Sequence, residues 1–137
     1  MTPGDIVAAA RALIGTPFRH QGRSDKGLDC AGVLITVARA LGVEVVDVDG
    51  YSRRPSCGLL EATLDAQPAL RRVGLAGMQA GDLLLMRFHG APQHLGIFTG
   101  ENLIHSYSAV GKVCEHRLNA EWRARIVRVY RFLEVSA

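Results

Sequence analysis

Three side chains in this sequence have the types and spacing for nucleophilic acyl chemistry: Cys30, His94 and His105. Cys30 closes a loop that contains Gly22, Ser24, Asp25 and Gly27. It opens an apolar run of helical spacing: Ala31, Val33, Leu34, Val37, Ala38 and Leu41. The cysteine is therefore expected in the first turn of a buried helix. Backbone N–H groups and the positive end of the helix dipole meet there and favour a thiolate. Taken alone, Cys30 fits a small buried hydrophobe as well as a reactive thiol. Asp29 precedes it and reads as the cap of the helix, with the lining of a substrate groove as the other role. His94 and His105 are eleven positions apart, around the tight-turn sequence Gly100-Glu101-Asn102. If the flanking segments pair as antiparallel strands, the two imidazoles lie on one face, with Cβ atoms about 5 Å apart. One imidazole then takes the thiol proton and the second holds the first in its tautomer. A zinc site from the same three residues would lack a fourth protein ligand, and neither metal nor cofactor is expected.

The elements that must position these groups are legible in order. Thr2-Pro3-Gly4-Asp5 is a helix start, with Thr2 as N-cap and Pro3 in the first helical position. Ile6, Val7, Ala9, Ala10, Leu13 and Ile14 continue at helical spacing, and Gly15 fits the stop. Thr16-Pro17-Phe18 then runs extended into the loop before Cys30. The second helix stops near Gly42, and residues 43–49 read as a short strand or an extended link. Residues 51–58 are loop by their Pro, Ser and Gly content. Leu59, Leu60, Thr63, Leu64 and Leu70 indicate a short helix, with Pro68 at its end. From Gly81 the period changes. Strands are expected over 82–88, 94–99, 103–107, 113–118 and 126–132, with a turn at 89–92 and a short helix capped by Asn119 and running through Trp122. Helices come first and strands after, which indicates an α+β domain. An antiparallel sheet packs against the early helices, and one domain spans 1–137.

Composition bounds the function. The chain has 137 residues, 48% of them apolar, enough for one core. The net charge of +3 is mild, and the arginines are scattered. The densest group, Arg117 to Arg131, carries no base-stacking pattern beyond Trp122, so nucleic acid is not an expected partner. Three cysteines without close pairs argue against a disulfide framework and a four-ligand zinc site. Cys57 and Cys114 read as structural or incidental, and His89 and His116 as surface residues. Met1 to Asp5 has neither the charged nor the apolar region of a signal peptide, and no run approaches a membrane span. The expectation is synthesis in the cytoplasm.

Four short motifs in order carry a resemblance: Asp29-Cys30-Ala31-Gly32, Gly81-Asp82-Leu83-Leu84, His94-Leu95-Gly96-Ile97 and Leu103-Ile104-His105-Ser106-Tyr107. Together they resemble the NlpC-type cell-wall cysteine endopeptidases. Thr16 to Gly22, Tyr51-Ser52-Arg53 and Trp122 with Tyr130-Arg131-Phe132 look most like the branch encoded in phage-tail and gene-transfer-agent clusters. The resemblance implies a papain-like α+β fold and hydrolysis of peptidoglycan stem peptides, at the bond between D-γ-glutamyl and a diamino acid. It matches Cys30 to the nucleophile, His94 to the general base and His105 to the orienting third residue. It implies tail hub or tip proteins as partners and action in the periplasm or cell wall.

One departure stands out. The family usually carries a tyrosine where this chain has Phe18, which keeps the ring and loses the hydroxyl. His20 and Ser24 are the candidates to supply a donor in its place. Two other readings keep the scaffold: a structural tail-tip protein with little activity, and an acyltransferase or amidase.

Overall fold

The computed structural model describes residues 1–48, 50–51, 59–88 and 91–135. Cys57, His89 and most of the expected 51–58 loop and 89–92 turn lie outside them.

Helix α1 (Pro3–Arg11) starts on a capping box. The Thr2 hydroxyl accepts from the Asp5 N–H at 3.1 Å, and the Asp5 carboxylate accepts from the Thr2 N–H at 2.8 Å. The helix ends at Arg11, one turn earlier than the apolar spacing suggests. Residues 12–15 form a turn, and Gly15, at φ 93°, donates its N–H to the Val113 carbonyl. Two-residue strands β1 (Arg23–Ser24) and β2 (Gly27–Leu28) pair as a hairpin inside the segment expected to be loop. Helix α2 (Cys30–Ala40) follows, then α3 (Leu59–Asp65). Residues 43–48 form a link without strand structure, held where Gln67 exchanges two hydrogen bonds with the Val46 backbone, at 2.8 and 2.7 Å. Leu70 belongs not to a helix but to strand β3 (Leu70–Val73).

Strands β4 (Leu83–Phe88), β5 (Ala91–Phe98), β6 (Asn102–Tyr107) and β7 (Lys112–Arg117) run as a meander. Helix α4 (Ala120–Arg123) and strand β8 (Ile126–Phe132) complete the chain. The sheet is six-stranded and antiparallel in the order β3-β8-β4-β5-β6-β7. Early helices and a later antiparallel sheet make this the α+β class expected from the sequence.

Strand alternation divides the interior in two. Leu83, Leu85, Leu95, Ile97, Ile104 and Val113 meet Ile6 and Ala10 of α1 and Val33, Leu34 and Val37 of α2. Leu84, Met86, Phe98, Leu103 and Val129 form the second cluster, with Trp122 of α4 against it. The first of these clusters holds α2 by its apolar face. The Ser106 hydroxyl anchors the segment just before it, donating to the Leu28 carbonyl at 2.5 Å. The start of α2 is thus fixed to β6, the strand that carries His105.

Gly32 is required by a close approach. A Cβ there would overlap the Gly22 carbonyl oxygen and press on the Leu28 side chain at 3.2 Å. The obstacle is backbone, so it yields only if the loop moves. Gly32→Ala is expected to destabilise by about 1–3 kcal/mol, read as a lower melting temperature, and to displace the loop in front of Cys30.

Candidate active site

Cys30 is the first residue of α2, and Asp29 is its N-cap, accepting the Gly32 N–H at 2.8 Å. Asp29 is 4% exposed and engages more than the helix. Its Oδ1 also accepts from Arg23 Nη1 at 2.9 Å, and its Oδ2 accepts from the Gln21 N–H at 2.9 Å and from the Tyr51 hydroxyl. Gln21 adopts φ 58°, and its N–H meets the carboxylate from that left-handed turn. Arg23 in turn donates from Nη2 to the Tyr51 hydroxyl oxygen at 2.8 Å and pairs with Asp47 at 3.0 Å. Burial and the Asp29 carboxylate both raise the Tyr51 pKa, so its hydroxyl keeps its proton.

Cys30, Asp29, Phe18, His20, Tyr51 and His94 are among the residues lining one cavity of about 270 Å³. His94 lies on β5 and His105 on β6. The β5–β6 register pairs Ile97 with Ile104. Continuing it makes the two histidines diagonal neighbours on one face rather than directly opposed. His94 Nε2 lies 2.5 Å from His105 Nδ1. The contacts continue: His105 Nε2 is 2.8 Å from His116 Nε2, and His116 Nδ1 is 3.0 Å from the Arg117 carbonyl oxygen.

This chain fixes the tautomers of all three rings. A carbonyl oxygen only accepts, so His116 carries its hydrogen on Nδ1 and offers a lone pair at Nε2. His105 then donates from Nε2 and accepts at Nδ1, and His94 donates from Nε2. His94 Nδ1 is left with its lone pair, on a ring that lines the same cavity as Cys30. Phe88 stacks on the His94 ring at 4.5 Å, and Tyr107 stacks on His105 at 5.2 Å, which fixes both ring planes.

The electrostatics depart from the expectation at Cys30. Burial pushes the thiol up, to about 12, and the Asp29 carboxylate adds to the rise. The Leu95 and Ala31 backbone amides and the Arg23 charge pull the other way without reversing it. The helix start therefore does not produce a resting thiolate, because the sulfur is desolvated next to a carboxylate. His94 and His105 are both held below the ordinary imidazole value of 6.5, chiefly by burial. Arg125 and His116 add to the effect on His94. The resting state is a neutral thiol beside neutral imidazoles.

Residues 15–131 match the NlpC/P60 family. The chain belongs to the NlpC/P60 family. It is 27% identical over 124 residues to the murein DD-endopeptidase MepS/murein LD-carboxypeptidase of Escherichia coli K12. That match covers 89% of this chain and 58% of the relative. It is 30% identical over 109 residues to the γ-D-glutamyl-L-lysine dipeptidyl-peptidase of Bacillus subtilis 168, covering 77% of this chain and 32% of the relative. The chain thus spans about half or less of these curated relatives. The crystal structure of an NlpC/P60 family protein from Bacillus cereus ATCC 10987 superposes with a TM-score of 0.73 at 22% identity, over 97% of this chain and 41% of that one. The fold is therefore the papain-like α+β fold of NlpC/P60 proteins. No helix among the described residues is long and apolar enough to cross a membrane.

The structure of this NlpC/P60 chain brings most of the sequence-predicted residues together and separates one. Phe18 lines the cavity, and so does His20, whose Nε2 lies 3.0 Å from the Tyr51 carbonyl oxygen. Ser24 is exposed in the β1–β2 hairpin, where its hydroxyl accepts the Lys26 N–H, and it is not among the cavity-lining residues. Tyr51, not singled out as a site residue in the sequence, also lines the cavity, and its hydroxyl donates to Asp29. His116 is not a free surface residue but the third ring of the histidine chain. Its signal was available: in an antiparallel pair, residue 116 two positions past 114 shares the face of 105. Arg23 and Tyr51 gave no comparable local signal, because their partner Asp29 becomes visible only once the loop folds back.

The neutral histidines tie stability to pH. In the unfolded chain each takes a proton as the pH falls through about 6.5, while in the folded chain burial resists it. Their contribution is complete above 6.5 and is lost on acidification, by up to about 1.4 kcal/mol per pH unit for each ring. The melting temperature is expected to drop between pH 7.5 and 5. The drop should be smaller in a His94→Gln/His105→Asn protein.

Proposed function

We propose that this protein is a cysteine peptidase that hydrolyses peptide bonds in peptidoglycan stems, with Cys30 as nucleophile, His94 as general base and acid, and His105 as the group that orients His94. The observation that carries the proposal is the 2.5 Å contact of the buried His105 with His94, which lines the same cavity as Cys30 at its helix start. His94 Nδ1 takes the thiol proton as sulfur attacks the scissile carbonyl. The same proton passes to the leaving amine, and a thioester forms. Water, deprotonated by His94, then opens the thioester. Proton transfer accompanies attack, since the thiol and imidazoles rest neutral. The Cys30 backbone N–H, at the first helical position, has no carbonyl partner within the helix and suits the developing oxyanion. Asp29 is held by Arg23 and Tyr51 at the cavity wall, where it suits a polar group of the stem.

The preferred bond is the one between D-γ-glutamyl and a diamino acid, supported by the residue-by-residue match to the family motifs and by the name of the Bacillus relative. The name of the Escherichia relative makes the DD cross-link the competing bond. Mass spectrometry of purified muropeptides decides. A new product cut after D-γ-glutamyl, absent with Cys30→Ala, is the expected result. A cut at the DD bond moves the specificity, and no cut by folded wild-type protein removes the proposal.

We further infer that the enzyme is synthesised in the cytoplasm and carried to the periplasm or cell wall as part of a phage-like tail, in contact with hub or tip proteins. Thr16 to Gly22, Tyr51 and the Trp122 to Phe132 segment support this by their likeness to the tail-encoded branch. Immunodetection of the protein in purified particles tests it, and its absence there would remove this part. Phe18 favours a second reading, a structural tail-tip protein of little activity, which the Cys30→Ala comparison separates.

A further inference from the structure

We propose that His105, Cys114 and His116 form a binding site for a thiophilic divalent cation, zinc above all, and that filling it switches off the proton-accepting form of His94. The register of β6 and β7 sets His105 directly opposite Cys114 and Leu103 directly opposite His116. Opposed residues share a face of the sheet, and so do residues two apart. The three donor side chains therefore stand together, and their ligand atoms all lie within 4.8 Å of one another. Two imidazole nitrogens and a thiol are a donor set that favours zinc over magnesium or calcium, with a fourth tetrahedral position left for water.

Three further features suit a metal. Cys114 is a free thiol, and both Cys114 and His116 are partly exposed, so an ion has a route in. His116 already has its Nδ1 against the Arg117 carbonyl at 3.0 Å, the outer hydrogen bond that holds a histidine ligand in its metal-binding tautomer. Trp122 walls the group, 5.1 Å from the His105 ring and 5.0 Å from His116. At 2.8 Å, the two Nε2 atoms share a hydrogen that the metal would replace, with a small outward movement of the rings.

The consequence for the active site follows from counting hydrogens. Without metal, His105 holds its hydrogen on Nε2 and accepts from His94 at Nδ1. A cation on His105 Nε2 needs the lone pair there, so the His105 hydrogen moves to Nδ1 and now points at His94 Nε2. His94 must accept at Nε2, and its own hydrogen moves to Nδ1, in the cavity of Cys30. The Cys114 thiol proton leaves to solvent as the sulfur–metal bond forms. His94 then presents an N–H where it previously presented a lone pair, and it cannot take the Cys30 proton. This regulatory half rests on the peptidase assignment, while the metal site does not.

Cobalt(II) tests the site without any activity. Titrated into Cys30→Ala protein, it should give a thiolate-to-cobalt charge-transfer band that saturates at one equivalent and is displaced by zinc. The band should survive an added Cys57→Ser and vanish with an added Cys114→Ser. No band, or a band indifferent to Cys114, overturns the site. For the switch, one equivalent of zinc should suppress muropeptide cleavage by wild-type protein about 10²-fold or more, the cost of losing a general base. Cys114→Ser protein should cleave as well as wild type without zinc and resist it. Equal inhibition of the two would place zinc on Cys30 and His94 and overturn the switch. If wild-type protein cleaves nothing, the peptidase assignment falls. Histidine nitrogen NMR still decides the switch: zinc must move the His94 hydrogen from Nε2 to Nδ1, and an unmoved hydrogen overturns it.

Discussion

His94→Gln protein is expected to lose about 10²- to 10⁴-fold in kcat/KM on muropeptides while melting close to wild type above pH 6.5. The loss should fall on kcat, because the imidazole acts on the proton that moves during attack rather than on bound substrate. Glutamine can still donate to His105 Nδ1, so the hydrogen bond survives and the titratable nitrogen does not. The companion variants grade the chain. His105→Asn keeps an acceptor near His94 Nε2 and should cost less than His105→Leu, which leaves that N–H without one and frees His94 to adopt the wrong tautomer. Since burial holds His94 below the ordinary imidazole value, the acid limb of the kcat/KM profile should lie below pH 6.5. An acid limb above 6.5, or wild-type kcat in His94→Gln, would remove His94 from the reaction.

The largest expected loss of stability comes from Arg131→Ala, about 3–5 kcal/mol. Asp82 is 1% exposed and receives a two-pronged contact from Arg131, Nε to Oδ1 and Nη2 to Oδ2, both at 2.8 Å. It also accepts the Gln79 N–H at 2.9 Å, and Arg131 donates to the Gly77 carbonyl at 2.8 Å. The pair ties β8 to the turn that launches β4. Removing the arginine leaves a carboxylate buried without its countercharge, which costs far more than the intact pair contributes. Urea unfolding should show a lower midpoint at unchanged slope. Removing both charges with Asp82→Ala/Arg131→Met should recover part of the loss. An Arg131→Ala protein within 1 kcal/mol of wild type, by the roughly 1 kcal/mol value of an exposed pair, would mean that Asp82 reaches water.

Local chemistry determined much of this protein in the sequence itself. The Thr2 capping box, the Asp29 cap, the apolar face of α2 and the strand–turn–strand around Gly100 rest on interactions between residues at most a few positions apart. Their types and spacing announce them. The same reasoning puts Cys30 at a helix start and His94 and His105 on one face, and the family motifs supply their expected roles. Where propensity and tertiary packing compete, the sequence misleads. Leu13 and Ile14 continue the helical period of α1, yet Gly15 turns away to bond Val113. Leu70 fits the helix pattern before it, yet it pairs with Phe132 on β8.

Tertiary structure alone decided the rest. That Tyr51 brings a hydroxyl to Asp29 depends on a link folding back across more than twenty residues. That His116 ends the histidine chain depends on the β6–β7 register. That Cys30 rests as a thiol, against the pull of its helix, depends on the partial burial of the sulfur among elements distant in sequence and on the carboxylate left beside it. Helix dipole and sequence neighbours act over one turn, whereas desolvation is set by everything the fold brings within reach, and no stretch of sequence contains it.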